Sequence, residues 1–357
     1  MTKTYDIVVI GAGHAGCEAA VAAAKLGKKV LLTTLHERSI GMLPCNPSIG
    51  GTAKGHLVCE IDALGGIMGI LADKAAIQIR MLNATKGPAV RSLRAQIDKE
   101  GYHQAMVELL NKTTNLTLAI GEINGLIWEG QQITGVIFNN EEIACKAVIV
   151  ATGTYLSSKT FVGKEVKNEG PAGLPNASTL EQSFHDMGIE VRRFKTGTPA
   201  RVDIDSIDYT QTEIQNGDDN IRAFSFLATH PIKNICPCYL TYTNENTHQI
   251  IRDHMTESAM YSGLIVGVGP RYCPSIEDKV NRFADRTRHQ TFLERESMSS
   301  REIYLQGLSS SLPASVQDEF IHSIKGLEKA DIIRFGYAIE YACINPLELL
   351  STLRHKK

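Results

Sequence analysis

Asp6-Ile7-Val8-Val9-Ile10 is a short apolar run rich in β-branched residues, too brief for a helix, and predicts a buried parallel strand. A glycine-rich hexapeptide follows. Alanines then dominate from Cys17 to Leu26, which predicts a helix ended by Gly27. Val30-Leu31-Leu32 supplies a second strand. The spacing predicts helical pieces over residues 60–71 and 76–82, and a helix over 96–111 packed on the sheet. Over residues 116–150 the period shortens to alternating runs broken by Glu129-Gly130 and Asn139-Asn140, the pattern of a β-meander. It delivers the apolar run Ala147-Val148-Ile149-Val150 into Ala151-Thr152-Gly153. Beyond Ser157 the chain turns polar and loop-rich. It predicts a helix over 178–187, an exposed connection over 213–226, a strand over 236–243 and a helix over 247–261. There is no internal repeat or low-complexity tract.

Composition narrows the class. A chain of 357 residues can bury a large core and form two domains. Hydrophobic residues at 43% and charged residues at 21% are ordinary for a soluble globular protein. A net charge of −2 gives no global positive field, so any nucleic-acid contact must come from a local patch. No stretch has the length of a membrane span, and the residues before the first strand leave no room for a signal peptide; the expectation is a cytoplasmic protein. The eight cysteines lack repeated CxxC spacing and are expected to be cytosolic thiols. Cys236-Pro237-Cys238 is the one pair to note for zinc, and no metal site is expected.

Chemistry gathers in four places. Gly11-Ala12-Gly13-His14-Ala15-Gly16 is a GxGxxG loop between strand and helix. Gly11 permits the tight turn, Gly13 lets a pyrophosphate approach the backbone, and Gly16 lets helix and strand pack closely. The helix N-terminus then faces the phosphates. The acidic residue expected at the end of the second strand is absent; Thr34 stands there, with Glu37 nearby. The other reading is a glycine-rich turn that binds no nucleotide. An apolar strand ending in Ala151-Thr152-Gly153 is a second dinucleotide-flavoprotein feature.

Two loops carry proline-flanked cysteines. Cys45 sits between Pro44 and Pro47, ahead of Gly50-Gly51 and an expected helix whose dipole, with Lys54 and His56, would favour thiolate. Cys273 lies in Gly269-Pro270-Arg271-Tyr272-Cys273-Pro274-Ser275-Ile276-Glu277-Asp278-Lys279. There Arg271 and Lys279 would lower the thiol pKa, and Glu277 and Asp278 would oppose them. The bland reading of each loop is a structural turn with an inert cysteine. Two basic stretches, one with Lys86, Arg91 and Arg94 and one with Arg193, Lys195 and Arg201, are candidate phosphate contacts. Arg91 and Arg94 would share a helical face. The alternatives are a solvated helix and a surface turn.

These stretches together resemble the MnmG, or GidA, family of flavoproteins that modify the wobble uridine of bacterial tRNAs. The matching motifs are GAGHAG, CNPSIGG with AKGHL, IDALGG, KGPAVRSLRAQ, ATGTYL, FKTGTPARVD, CPCYLTYTNENTH, GPRYCPSIEDKVNRF, QGLSSSLP and GYAIEY, in family order from residue 6 to about 341. The resemblance implies an α/β Rossmann-like FAD-binding domain of the two-dinucleotide type, with a β-meander and an inserted mixed α/β domain. The expected bounds are 1–196 for the FAD domain, 197–330 for the inserted substrate and NAD domain, and 331–357 for a return to the first. It implies FAD on Gly11 to Gly16, with further contacts at Ile123 and Ser178, and a nicotinamide-binding stretch from Gly269 through Lys279 to Val280-Asn281-Arg282-Phe283. It implies that Cys45 and Cys273 are paired functional thiols. NADH is the expected reductant, methylenetetrahydrofolate the one-carbon donor, and ammonium or glycine the amine source. The expected partners are tRNA, the GTPase MnmE and a second copy of the chain.

The family continues past GYAIEY with a segment that returns to the flavin and a helical domain that engages tRNA and MnmE. Here the family's rhythm holds to about Leu353, so the expectation is a truncated chain. Smaller departures are Arg295 and Ser297, where the family favours proline and glycine, and residues 168–175. Two rival readings stand beside the enzyme: a generic FAD/NADH thiol oxidoreductase, and a remnant of the family that folds and modifies nothing.

Overall fold

The computed structural model describes residues 4–220, 222–228, 231–269 and 274–356. The chain opens with β1 (Thr4–Ile10), α1 (His14–Lys25) and β2 (Val30–Thr34). Next come β3 (Ser48–Gly50), α2 (Gly55–Ala63), α3 (Met68–Ala75), β4 (Ala76–Leu82), β5 (Ser92–Ile97) and α4 (Lys99–Lys112). β6 (Leu116–Ile120), β7 (Ile123–Glu129), β8 (Gln132–Phe138) and β9 (Glu141–Val150) follow, then β10 (Lys159–Val162), β11 (Glu165–Lys167), α5 (Leu180–Asp186) and β12 (Val191–Thr198). The remainder is β13 (Arg201–Asp203), β14 (Glu213–Gln215), β15 (Cys238–Tyr242), α6 (Glu245–Asp253), α7 (Ile276–Arg282), β16 (Gln290–Arg295), β17 (Glu302–Gln306), α8 (Ala314–His322), β18 (Ile332–Arg334) and β19 (Tyr337–Ile344).

Alternation along β1 explains the first sheet. Val9 faces the core shared with α1 and α4, while Val8 and Ile10 face the core beneath α5. Each such side chain contributes about 1.5–3 kcal/mol on burial. The sheet order is β6-β2-β1-β9-β8-β7, parallel through β9 and antiparallel beyond. The glycine-rich loop therefore leaves β1 where the strand order reverses, between β2 and β9, the place where open α/β sheets bind ligands. A second sheet, β11-β10-β19-β12, brings the late strand β19 back beside α5. A third, β14-β15-β16-β17-β13-β18, is the inserted one, and it faces the small sheet β3-β5-β4. Among the described residues no helix is long and apolar enough to cross a membrane.

Several sequence expectations are corrected. Residues 76–82 are β4, not a helix: in Ile77-Gln78-Ile79-Arg80 the alternation outweighs the helix formers, and Ile77 and Ile79 are 2% and 1% exposed. The expected helix over 60–71 is two, α2 and α3, parted at Gly65, whose φ of +86° suits glycine. Arg91 and Arg94 share no helical face, because residues 92–97 are β5; α4 starts only at its cap, where the Asp98 side chain accepts from the Gly101 amide. β6 stands outside the meander, parallel to β2. Residues 192–198 are strand, not a surface turn. The connection over 213–226 is not simply exposed, since Phe224 is 1% accessible. The helix expected over 247–261 is α6, ending at Asp253.

The inserted sheet meets β4 and β5 through a polar seam. Arg94 Nη2 lies 2.6 Å from Glu294 Oε1. Gln78 Nε2 donates to the Gln215 carbonyl at 2.7 Å, Arg80 Nη1 to Gln215 Oε1 at 3.0 Å, and Gln96 Nε2 to the Arg295 carbonyl at 2.8 Å. Arg201, 2% exposed, donates to Glu296 Oε1 at 2.9 Å, and Lys99 approaches Glu296 Oε2 at 3.0 Å. Ser297, one of the departures from the family, donates to the α4 cap Asp98 at 2.6 Å, and Arg295 is tied to the carbonyls of Ser297 and Met298.

Candidate functional site

Three glycines form the first cradle. Gly11 has φ +102°, and a Cβ there would collide with the Ala151 carbonyl. A Cβ on Gly16 would collide with the Gly11 carbonyl, so that glycine lets α1 lie against the loop. A Cβ on Gly13 would meet nothing within 4 Å; it would project into the open space a pyrophosphate needs. A cavity of about 570 Å³ opens here, lined by Gly11, Ala12, Gly13, Thr34, Ser39, Gly121, Ile123, Ala151, Thr152, Gly153 and Tyr155. Thr34 and Ser39 pair their hydroxyls at 2.6 Å, so the strand end offers hydroxyls where a carboxylate was expected. Of the other expected contacts, Ala15 points to solvent, Gly16 works through packing, and Ser178 is exposed while its neighbours Ala177 and Leu180 line the cavity. Among the described residues His14 Nε2 is sealed without a hydrogen-bond partner, its ring 5.6 Å from that of Tyr102. Burial drives its pKa down to about 4. The glycines, the open space and the paired hydroxyls fit a dinucleotide such as FAD.

The thiol region is organised by β12. Half-buried Cys45 points its Sγ at the Gly197 carbonyl, 3.5 Å away, and its own carbonyl accepts from Thr198 Oγ1 at 3.0 Å. Thr198 in turn accepts from Arg201 Nη1 at 2.6 Å, so the loop is tied to the polar seam. The helix expected after Gly50-Gly51 is α2, beginning at Gly55, and the short strand β3 lies within the Cys45 loop ahead of it. Pro270, Arg271, Tyr272 and Cys273 lie outside the described residues. The flank before them runs beside the same strand: the Lys195 amide donates to the Val268 carbonyl at 3.1 Å, and the Val268 amide to the Arg193 carbonyl at 3.2 Å. On the far flank Ser275 caps α7 and lines a cavity of about 240 Å³ with Lys195, Thr196, Gly197, Ser309, Ser310 and Ser311. Among the described charges expected to tune Cys273, Lys279 Nζ donates to the Gly307 carbonyl at 2.7 Å, and Glu277 is fully buried with its Oε1 under serine hydroxyls.

Most of the expected phosphate contacts are internal. Arg94 and Arg201 are seam ion pairs, Lys195 is 6% exposed, and Arg193 holds Glu340 through Nε and Nη2 at 3.2 and 3.1 Å. Lys86 and Arg91 are exposed and adjacent, with Arg91 Nε donating to the Lys86 carbonyl at 2.9 Å. Burial resists ionisation of Glu296, yet Arg201 and Lys99 together draw its pKa down to about 2.

Sequence reasoning missed a cavity of about 1120 Å³ two residues from Cys45, lined by Leu43, Met42, Arg38, Lys99, His103, Glu296, Ser300, Glu302 and Arg334 among others. Its walls come from five separate stretches, and no local motif marks it.

The fold and the glycine cradle define a Rossmann-like FAD-binding α/β protein. The chain belongs to the family described as "Glucose inhibited division protein A", GidA, whose model matches residues 6–357. It is 53% identical over 355 residues to the tRNA uridine 5-carboxymethylaminomethyl modification enzyme MnmG of Caldicellulosiruptor saccharolyticus, covering 99% of this chain and 56% of that one. It is 52% identical over 354 residues to the MnmG of Lachnoclostridium phytofermentans, covering 98% and 56%. Among solved structures, GidA of Aquifex aeolicus in its form I crystal superposes with a TM-score of 0.95 at 46% identity, covering 99% of this chain and 60% of that one. The chain thus spans a little over half the length of these relatives.

Proposed function

We propose that this chain forms the FAD-binding and thiol-bearing part of an enzyme that builds a carboxymethylaminomethyl or aminomethyl group on carbon 5 of the tRNA wobble uridine, with MnmE as partner. The supporting observation is the attachment of the Cys45 loop and the flank of the Cys273 loop to one strand, β12, in a chain that carries the dinucleotide cradle. Gly11, Gly13 and the first amides of α1 would hold the pyrophosphate, and Thr34 with Ser39 the ribose. Bound FAD, reduced by NADH, would supply the redox chemistry that activates a one-carbon unit from methylenetetrahydrofolate. Carbon 5 of uracil is a poor nucleophile, and thiolate addition at carbon 6 splits one hard step into two. Thr198 and Gly197 hold the Cys45 loop for that attack. Cys273 is the second thiol in this reading, and residues 269–283 the nicotinamide stretch. A dimeric, cytoplasmic enzyme completes it, with residues 1–196, 197–330 and 331–357 as its parts.

The test is complementation of a bacterial strain lacking its own MnmG, with mass spectrometry of wobble uridine and, in parallel, NADH-dependent disulfide reduction by the purified protein. Restored modification supports the proposal. Disulfide turnover with no modified uridine would favour the generic oxidoreductase.

A further inference from the structure

Lys195 sits within β12 at 6% exposure. Its Nζ donates to the Met260 sulfur at 3.1 Å. A thioether is a weak acceptor, an ammonium carries three donors, and an unpaired buried charge is costly. Among the described residues no carboxylate pairs with it. Glu340, its cross-strand neighbour, is taken by Arg193 and by the amides of Val266 and Gly267 at 2.9 and 2.7 Å. Glu277 accepts at Oε1 from the Ser258 and Ser310 hydroxyls at 3.1 and 3.2 Å and from the Ser311 amide at 2.9 Å; its buried Oε2 has no hydrogen-bond partner among the described residues, Lys195 included.

Lys195 borders the cavity of about 240 Å³, with Gly197, Ser275 and Ser309 among its other walls. The part of it open to the centre of a water-sized sphere is about 10 Å³, room for a single oxygen atom, of a ring substituent or of an oxyanion at its mouth, and not for a ring. The lysine stem is fixed in place: a Cβ on Gly269 would come within 2.7 Å of Lys195 Cε. Lys195 and Gly197 are two residues apart on one strand, about 7 Å, and the Gly197 carbonyl is one contact of Cys45 Sγ. A buried ammonium, a one-group cavity and a thiol loop therefore adjoin.

We propose that Lys195 is the cation of the thiol cleft, binding the pyrimidine oxygen that becomes anionic when a thiolate adds to the ring. This rests on the uridine reading above. In the step, a sulfur–C6 bond forms and the C5=C6 electron pair moves through C4 onto its oxygen, giving an enolate that the ammonium holds. Nothing is oxidised or reduced. A proton taken from water at carbon 5 and lost again, followed by expulsion of the thiolate, exchanges the C5 hydrogen with solvent.

The test needs no substrate at first. Cys45 is alkylated with iodoacetate and with iodoacetamide, and the products are counted by peptide mass spectrometry. Both reagents consume thiolate, so thiol acidity cancels in the rate ratio, leaving the field felt by the iodoacetate carboxylate. Lys195→Met is expected to lower that ratio by roughly threefold or more, while Lys195→Arg keeps it. An unchanged ratio in a folded Lys195→Met protein overturns the proposal. If that variant fails to melt cooperatively, phosphate titrated into the wild type at constant ionic strength decides. Phosphate must slow iodoacetate at Cys45 more than iodoacetamide, and equal slowing overturns the proposal. In the complementing enzyme, Lys195→Met should lose C5-hydrogen exchange of wobble uridine in kcat with KM for tRNA retained; full exchange would also overturn it. Absence of wild-type modification would instead sink the uridine reading and leave the alkylation result standing.

Discussion

Arg94 and Glu294, 200 positions apart in the chain, meet at 2.6 Å and join the small β3-β5-β4 sheet to the inserted one. Burial pushes the Glu294 carboxyl up, against the pull of Arg94. A charge so placed serves folding. Arg94→Ala leaves an unpaired buried carboxylate and is expected to cost about 3–5 kcal/mol. Arg201→Ala, which strips Glu296 of one of its two cations, belongs in the same range. Urea unfolding checks both, and a loss below about 0.5 kcal/mol in either would show that the seam does not depend on that pair.

Lys86 and Arg91 are the remaining candidates for RNA phosphate. Replacing both with alanine should leave stability within about 0.5 kcal/mol and reduce the slope of log affinity for tRNA against log salt by roughly 1.5. Filter binding at several salt concentrations measures it. An unaltered slope removes this turn from the RNA surface.

Gly13 separates binding from folding. Because a Cβ there meets no protein atom, Gly13→Val should fold with near wild-type stability and fail to take up FAD. Gly16→Val, which drives a side chain into the Gly11 carbonyl, should lose the fold as well. Flavin fluorescence quenching alongside a thermal melt distinguishes the two. Tight flavin in Gly13→Val would contradict the cradle.

The His14 ring gives a pH dependence with a defined sign. Burial holds its folded pKa at about 4, below the ordinary histidine value of about 6.5. The unfolded chain therefore binds the proton first, and stability falls as pH drops from about 6.5 to about 4, then levels. The full effect is at most about 3 kcal/mol. His14→Gln should flatten that part of the melting-temperature profile, and an identical profile in the variant would assign the loss to other groups.

Cys45→Ser keeps a donor toward the Gly197 carbonyl, so the loop should stay in place and thermal stability should change by less than about 1 kcal/mol. Uridine modification in the complementing strain is expected to disappear. Retained modification would remove Cys45 from the chemistry.

What the sequence disclosed was local. The glycine hexapeptide, the strand into Ala151-Thr152-Gly153 and the meander hairpins each span few residues, and the structure has them where periodicity and turn chemistry put them. What stayed hidden was pairing at a distance. Arg94 and Arg201 look like surface bases because nothing near them in the chain hints at Glu294 and Glu296. β4 reads as helix in the sequence because Ala, Met and Leu favour helix, while its second face is covered only when the inserted sheet arrives. The Thr34–Ser39 pair was half visible: the missing acid could be read, its hydroxyl partner could not.

β19 is held between β10 and β12, and its far end is fastened where the Ala342 amide donates to the Leu156 carbonyl and the Asn345 amide to the Glu190 carbonyl. On a ribosome, β1, β2 and their helices can begin to associate early, but the sheet carrying β12 lacks its central strand until residue 344 has left the exit tunnel. The inserted sheet is synthesised in that interval. Until then the edges of β10 and β12 lie open to other strands, the hazard of late, long-range pairing in a nascent chain. Synonymous codons that slow translation just before residue 337 should therefore lengthen that exposure and raise chaperone dependence.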